Sequence, residues 1–398
     1  MKLDWLGGIV SKRLFSLSFI VISLIIISLA LSLSGCSKPV PPQGAFEQTI
    51  KIGLILPLKG DYEKYGTLCK NGIDLAIDEI NAKGGVNGKN LEVIPGNDTS
   101  DGRIAASIAL NYAEVQKVSA IIGPYTSESA LLAAPIANRA GVPMVAIRTS
   151  ETSITKIGNY IFRACYVDTY QGTILGRFAG RDLKAKKAAV IYNSGDNDAK
   201  TLINNFKQEI AKYGGKVETI QSYDSKTTDF TLLVSELQKV KPDVVLLPDF
   251  EDKAGQIMKK AAEMGFKTTY LGTDFWNVER LVKIAGKAAV GSYLTDHFSP
   301  EDPNPQTQKF VDSYDGDYGI KPGPSAALSY DAVMLVAEAM KKADSADPEK
   351  IRAALTSIKN FKGAAGTYTF DTDRNPIKGG VILKVLADGQ TFEKRIEP

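Results

Sequence analysis

The feature that most constrains this chain is a repeated alternation of short apolar runs with amphipathic stretches of helical period, many of them closed by glycine. Thr49–Leu56 (TIKIGLIL) is β-rich; the stretch after it places Leu68, Gly72, Ala76 and Ile80 on one face, with Ile73 and Ile77 beside them, and stops at Lys83-Gly84-Gly85. Further strands are expected at 91–94, 118–122 and 143–147, with helices at 104–112 and 127–139 between them. A βαβαβαβ order implies a parallel sheet covered on both faces. The pattern restarts after residues 163–171, giving strands at 188–192, 217–222, 243–247, 269–271 and 293–297 with helices at 198–213, 230–240, 253–264 and 278–284. Two helical stretches, 325–342 and 348–358, precede a strand-rich tail too small for a third core. The expected fold class is α/β, with two doubly wound parallel-sheet lobes that the tail completes, so that the chain crosses between them more than once.

The first 35 residues read as an address. Lys2, Lys12 and Arg13 precede an apolar run, Leu14–Leu33, which meets Leu33-Ser34-Gly35-Cys36. A basic head, an apolar middle and small residues at a cut site make a secretory signal. The cysteine directly after the small residues resembles a bacterial lipoprotein signal. That resemblance implies cleavage before Cys36, a diacylglycerol on its thiol, and a body lipid-anchored outside the cytoplasmic membrane. An uncleaved anchor is the alternative, since about 20 apolar residues can span a bilayer; the body lies on the same side either way. Residues 36–48, with Pro39, Pro41 and Pro42, read as a tether.

Several function classes fare poorly. Lys and Arg number 48 against 45 Asp and Glu, so no charge excess points to nucleic acid. Three cysteines and one histidine argue against a Cys/His zinc cage, because a structural site needs four ligands and would have to gather every cysteine and histidine in the chain. Cys69 and Cys165 lie in the exported body, where a disulfide is permitted, but two buried free thiols are the simpler expectation. His297, the single histidine, sits at a strand end without a GxSxG serine and reads as a structural or hinge residue. There is no GxxxxGK[ST] loop, and Pro57-Leu58-Lys59-Gly60 follows the first strand where a dinucleotide site needs GxGxxG. We therefore expect no enzyme, no metal and no cofactor.

A binding role fits better. In open parallel sheets ligands sit beyond the carboxyl ends of the strands, at helix N-termini. Gly123-Pro124-Tyr125-Thr126-Ser127 joins a strand to a helix at such a place, and the unpaired first-turn N–H groups there favour an anion. Ser127 is either the helix cap or a hydroxyl donor to a ligand carboxylate. Arg148, Thr149 and Ser150 end the next strand near the same rim, and Gly272-Thr273-Asp274 ends a strand of the second series. Donors on one lobe and an acid on the other suit a zwitterion.

The segments Ile50–Gly66, Gly72–Val93, Ile121–Val145, Phe162–Gly172, Ser329–Val333 and Gly366–Asp371 together resemble the type I periplasmic-binding-protein fold, in the branched-chain-amino-acid-binding class of ABC transporter receptors. The resemblance covers roughly residues 49–386. It implies two lobes joined by three crossovers, divided as 49–167 plus 298–375 and 168–297 plus 376–398, and a monomer that closes on a small molecule and delivers it to permease subunits. It also implies that Ser127 binds a ligand carboxylate, Ser150 contacts carboxylate and ammonium, Asp274 takes the ammonium, and Tyr65 and Phe250 pack on the ligand from opposite lobes. Two positions depart from the pattern. Arg148 stands where a small residue is usual and Asn197 where a tyrosine is common. Arg148 is expected to point outward and pair with Glu128 or Glu151; pointing inward, it could take a second ligand carboxylate. The departures leave room for a non-amino-acid solute such as an amide, a urea-like compound or an aromatic acid. A receptor serving a sensor instead of a permease is a further alternative.

Overall fold

The structure is a computed structural model in which residues 49–196 and 198–398 are described. The signal segment, the tether with Cys36, and Asn197 lie outside the described residues. Among the described residues, no helix is long and apolar enough to cross a membrane.

Strands β1 (Ile50–Leu56), β2 (Leu91–Asn97), β3 (Ala120–Ile122), β4 (Met144–Ala146) and β5 (Ile161–Arg163) form a wholly parallel sheet in the order β2-β1-β3-β4-β5. A second sheet contains β6 (Lys187–Asn193), β7 (Lys216–Tyr223), β8 (Val244–Leu246), β9 (Thr269–Gly272) and β10 (Tyr293–Asp296), wound in the corresponding order β7-β6-β8-β9-β10. Between them in sequence and the C-terminus, β11 (Phe361–Gly363), β12 (Gly366–Phe370) and β13 (Pro376–Ile377) make a small antiparallel sheet. The last strands, β14 (Gly380–Val385) and β15 (Gln390–Ile396), extend the second sheet antiparallel beyond β10.

The strand runs are apolar on both sides because both faces are covered. Ile52, Leu54 and Leu56 pack with the helices Glu63–Ala82 and Pro324–Ala343, whereas Ile55 between them packs with Tyr112 and Ala133 on the other face. In the second sheet Ala189 and Ile191 point to one core and Ala188 and Val190 to the other.

Two helices escaped the sequence reading. Asp168–Arg177, which continues as a π-turn to Asp182, contains Gly172 and Gly176, residues that argue against a helix. Packing overrides that propensity: a Cβ on Gly172 would lie 2.0 Å from the Leu202 carbonyl oxygen, so the glycine lets this helix approach the backbone of Ala199–Ala211. The other, Pro305–Tyr318, is capped by Asn304 but is too polar to show a clear apolar face. β5 also went unread, being only three residues long.

Asp331, within the Ser329–Val333 segment, shows what such a motif does structurally. Its fully buried carboxylate accepts from the backbone N–H of Ala364 at 2.6 Å, that of Ala365 at 2.8 Å and the Tyr368 hydroxyl at 2.8 Å. One side chain on the Pro324–Ala343 helix thus pins the β11–β12 turn.

The chain passes between the two large sheets three times: after β5, after β10 and after β13. Buried side chains from the three passages gather around Tyr166. The rings of Tyr166 and His297 have centroids 3.8 Å apart, and Lys378 Nζ lies 5.9 Å from the Tyr166 centroid and 5.0 Å from that of Tyr368.

Candidate ligand-binding site

The loops leaving β3 and β4 on one sheet and β8 and β9 on the other hold most of the candidate residues. The first exit loop needs Gly123: its φ is +103°, and a Cβ there would stand 2.1 Å from the Ile55 carbonyl oxygen. The loop then enters the Ser127–Ala140 helix. Thr126, not Ser127, is its cap; Thr126 has extended backbone and its Oγ1 accepts from Ser129 N–H at 3.3 Å. The cap expectation for Ser127 is corrected accordingly, and its half-buried hydroxyl at the first helical position is not used for capping.

Arg148 reverses the orientation expected of it. Its Nη2 lies 3.0 Å from Asp274 Oδ2 and 3.5 Å from the Asp274 carbonyl oxygen, joining the exit of β4 to the exit of β9. Neither Glu128 nor Glu151 is its partner; Glu151 Oε1 instead accepts from Ser153 N–H. The physical reason is the density of acid on the inner side: Asp274 and Asp296 both act on the guanidinium, and together they outweigh burial to hold its pKa above the usual arginine range.

Asp274 is held by more than the arginine. Gln171 reads it at both ends, donating Nε2–H to Oδ1 at 2.7 Å and accepting from Asp274 N–H at 3.0 Å. The Thr295 hydroxyl also binds Gln171 Oε1. His297 Nε2 lies 3.4 Å from Asp274 Oδ2. Burial favours the neutral acid, but the hydrogen bond from His297 and the charge of Arg148 outweigh it, holding the carboxyl below its usual range. His297 is pulled down to about 4 by burial, against the opposing pull of Asp274, so at neutral pH it is a neutral ring donating to the carboxylate.

Two further acids line this region. Burial and the nearby Asp274 push Asp168 up to about 7, against hydrogen bonds from the Ser150 hydroxyl and Gln171. Burial pushes Asp296 up to about 6, with Arg148 opposing. Thr149 is fully buried, its hydroxyl has no partner among the described residues, and its carbonyl accepts from the buried Arg163 at 2.5 Å; Arg163 also donates to the Glu151 carbonyl at 2.8 Å. Arg163 therefore braces the loop that carries Arg148, Thr149 and Ser150.

The aromatic candidates are partly exposed. Tyr65 is stacked on Tyr125 with centroids 5.7 Å apart, and Phe250 on Phe275 at 5.0 Å. The structure thus brings Arg148 directly onto Asp274 and links Ser150 to the same network through Asp168. Arg163, Asp168, Gln171 and His297 were not assigned to the site from sequence. Asp168 and Gln171 lie in the quoted Phe162–Gly172 segment, yet nothing local announces a partner 103 positions away.

The arrangement offers hydrogen-bond donors, one guanidinium and carboxylates, but no metal cage: among the described residues no group of His, Cys, Asp and Glu is placed to hold an ion. Cys69 and Cys165 are free and buried, and burial raises both thiols, Cys165 to about 11, which keeps them protonated and unreactive.

Comparisons with known proteins bear on the family and the fold. A family model described as periplasmic binding protein matches residues 49–390. A Leu/Ile/Val-binding protein homolog from Brucella suis is 28% identical over 335 residues, covering 84% of this chain and 89% of that protein. A leucine binding protein, LivK, from Thermotoga maritima is 31% identical with a TM-score of 0.70, covering 88% of this chain and 99% of its own. The substrate binding protein LivJ of a branched-chain amino acid transporter from Streptococcus pneumoniae, solved in complex with isoleucine, is also 31% identical with a TM-score of 0.70, covering 88% and 100%. With two wound sheets, three passages between them and a match over nearly the whole described body, the chain belongs to the periplasmic binding protein family.

Proposed function

We propose that this protein is the extracytoplasmic solute receptor of an ABC importer, lipid-anchored through Cys36, acting as a monomer and binding an aliphatic amino acid between its two lobes. The observation that carries the reading is the Arg148–Asp274 pair at 3.0 Å, which joins the exit of β4 on one sheet to the exit of β9 on the other, at strand ends where such folds bind ligands. Similarity to proteins that bind leucine and isoleucine supports the choice of ligand. Ser127 and Ser150, with the first-turn N–H groups, take the solute carboxylate; Asp274 takes its ammonium; Tyr65 and Phe250 cover its side chain, and Thr149 lies behind the same rim. A solute that touches both lobes binds the closed form better and so shifts the population toward it. The permease reads that closed form.

The test is a thermal-shift screen of the purified protein over the twenty L-amino acids, followed by calorimetry on Ser127→Ala and Ser150→Ala. Ligand that binds only the folded state raises its melting temperature. Each serine hydroxyl bonded to a charged group is expected to contribute about 1.5–3 kcal/mol, a loss of roughly tenfold or more in affinity. Wild-type affinity in both variants would refute the site, and no response to any amino acid would refute the ligand class.

A further inference from the structure

Among the described residues the Asp274 carboxylate has three side-chain partners, and they are not equivalent. Gln171 and His297 are neutral, almost wholly buried and, like Asp274, belong to the part of the chain that carries the second sheet. Arg148 alone is charged, alone arrives from the first sheet, and keeps 23% of its side chain exposed. Gln171 is fixed by Asp274 N–H and by Thr295, so it cannot leave without breaking its own network. Arg148 is therefore the partner that can be displaced, and its guanidinium covers the carboxylate oxygen, Oδ2, that an incoming ammonium would need.

Displacing it has a cost that depends on the solute. A guanidinium removed from Asp274 remains beside Asp296, itself partly neutralised by burial, and Asp168 already accepts from Gln171 and Ser150. A solute with an ammonium but no carboxylate takes Asp274 and leaves Arg148 poorly paired. A solute with a carboxylate but no ammonium draws Arg148 off and leaves Asp274 without a counter-charge. A buried charge left without its partner is strongly unfavourable. A solute carrying both groups replaces one neutral pair by two and leaves no charge stranded.

Resting on the reading that an amino acid binds here, we propose that Arg148 is a specificity-determining residue that works by partner exchange. The solute ammonium takes Asp274 while its carboxylate, already held by the Ser127 helix end, receives the released guanidinium. The Arg148–Asp274 pair is then a built-in competitor that rejects amines, amides and simple carboxylates. It is also a contact between lobes that the solute replaces with its own.

Three probes separate the possibilities: L-leucine, L-leucinamide, which lacks the carboxylate, and 4-methylpentanoate, which lacks the ammonium. Calorimetry on the wild type is expected to show leucine bound at least a hundredfold tighter than either analogue. In Arg148→Met, checked for folding by its melting curve, leucine is expected to weaken at least tenfold while leucinamide tightens, because Asp274 is no longer covered. Arg148→Lys, which keeps the charge, is expected to retain the wild-type order. If leucine binds the wild type but Arg148→Met leaves the leucine-to-leucinamide ratio unchanged, the exchange is wrong and the receptor reading survives. If the wild type binds none of the three and no other amino acid raises its melting temperature, both fall together.

Discussion

Lys378 gives the most exacting test of the packing where the chain passes between its sheets. It is completely buried, its Nζ has no hydrogen-bond partner among the described residues, and it lies over the rings of Tyr368 and Tyr166. Burial is the main reason its pKa falls from 10.5 to about 7; Asp331, Cys165 and Asp296 oppose the fall and Arg395 adds to it. A lysine whose folded pKa is depressed binds its proton more tightly in the unfolded chain. Stability is therefore lowest below pH 7 and recovers as pH rises toward 10.5. At 1.36 kcal/mol per pH unit, the fall from 10.5 to about 7 sets a ceiling of about 5 kcal/mol on the contribution of this one group. Relaxation around a buried ion reduces that, and an apolar replacement of similar volume commonly gains about 1–4 kcal/mol. Lys378→Met is thus expected to be more stable than wild type by about 2–4 kcal/mol at pH 6 and to converge on it near pH 10. Urea denaturation from pH 6 to pH 10, with both proteins in the same buffers, measures the difference and cancels the other titrating groups. Parallel stability curves for the two proteins across that range would show that Lys378 is not a buried charge and would overturn the account.

Two other substitutions test the frame around the site. Asp331→Ala removes the acceptor for three buried donors, the N–H groups of Ala364 and Ala365 and the Tyr368 hydroxyl, and is expected to cost about 3 kcal/mol in chemical denaturation; a loss below about 1 kcal/mol would show that another group supports the turn. Gly172→Ala forces a Cβ to within 2.0 Å of the Leu202 carbonyl and is expected to lower the melting temperature by several degrees while spreading the Asp168–Arg177 and Ala199–Ala211 helices. An unchanged melting temperature would mean that the two backbones are not in contact there.

Much of the fold was legible because it rests on local periodicity. The apolar run Ile50–Leu56, the amphipathic repeat after it and the glycines that close the helices are all written within a dozen residues, and they sufficed for two wound lobes. The rim at Ser127 and the acid at Asp274 could be placed because strand ends follow from strand positions. The helix Asp168–Arg177 could not, because its glycines make sense only against the backbone of a helix some thirty residues on. Nor could the cap at Thr126 be read, since the residue that caps a helix depends on a backbone angle.

The direction of Arg148 is the clearest case of what tertiary structure alone decided. Glu151, three residues on, and Glu128, at the start of the preceding helix, offered the surface pairing that sequence reasoning favoured. The fold instead sets it against Asp274, 126 positions away, at a place where burial makes an ion pair stronger than it would be in water. Sequence fixes the elements because hydrogen bonding and side-chain period act over a few residues. The partners of a buried charge are chosen by whichever distant groups the finished fold brings within reach, and no local pattern records them.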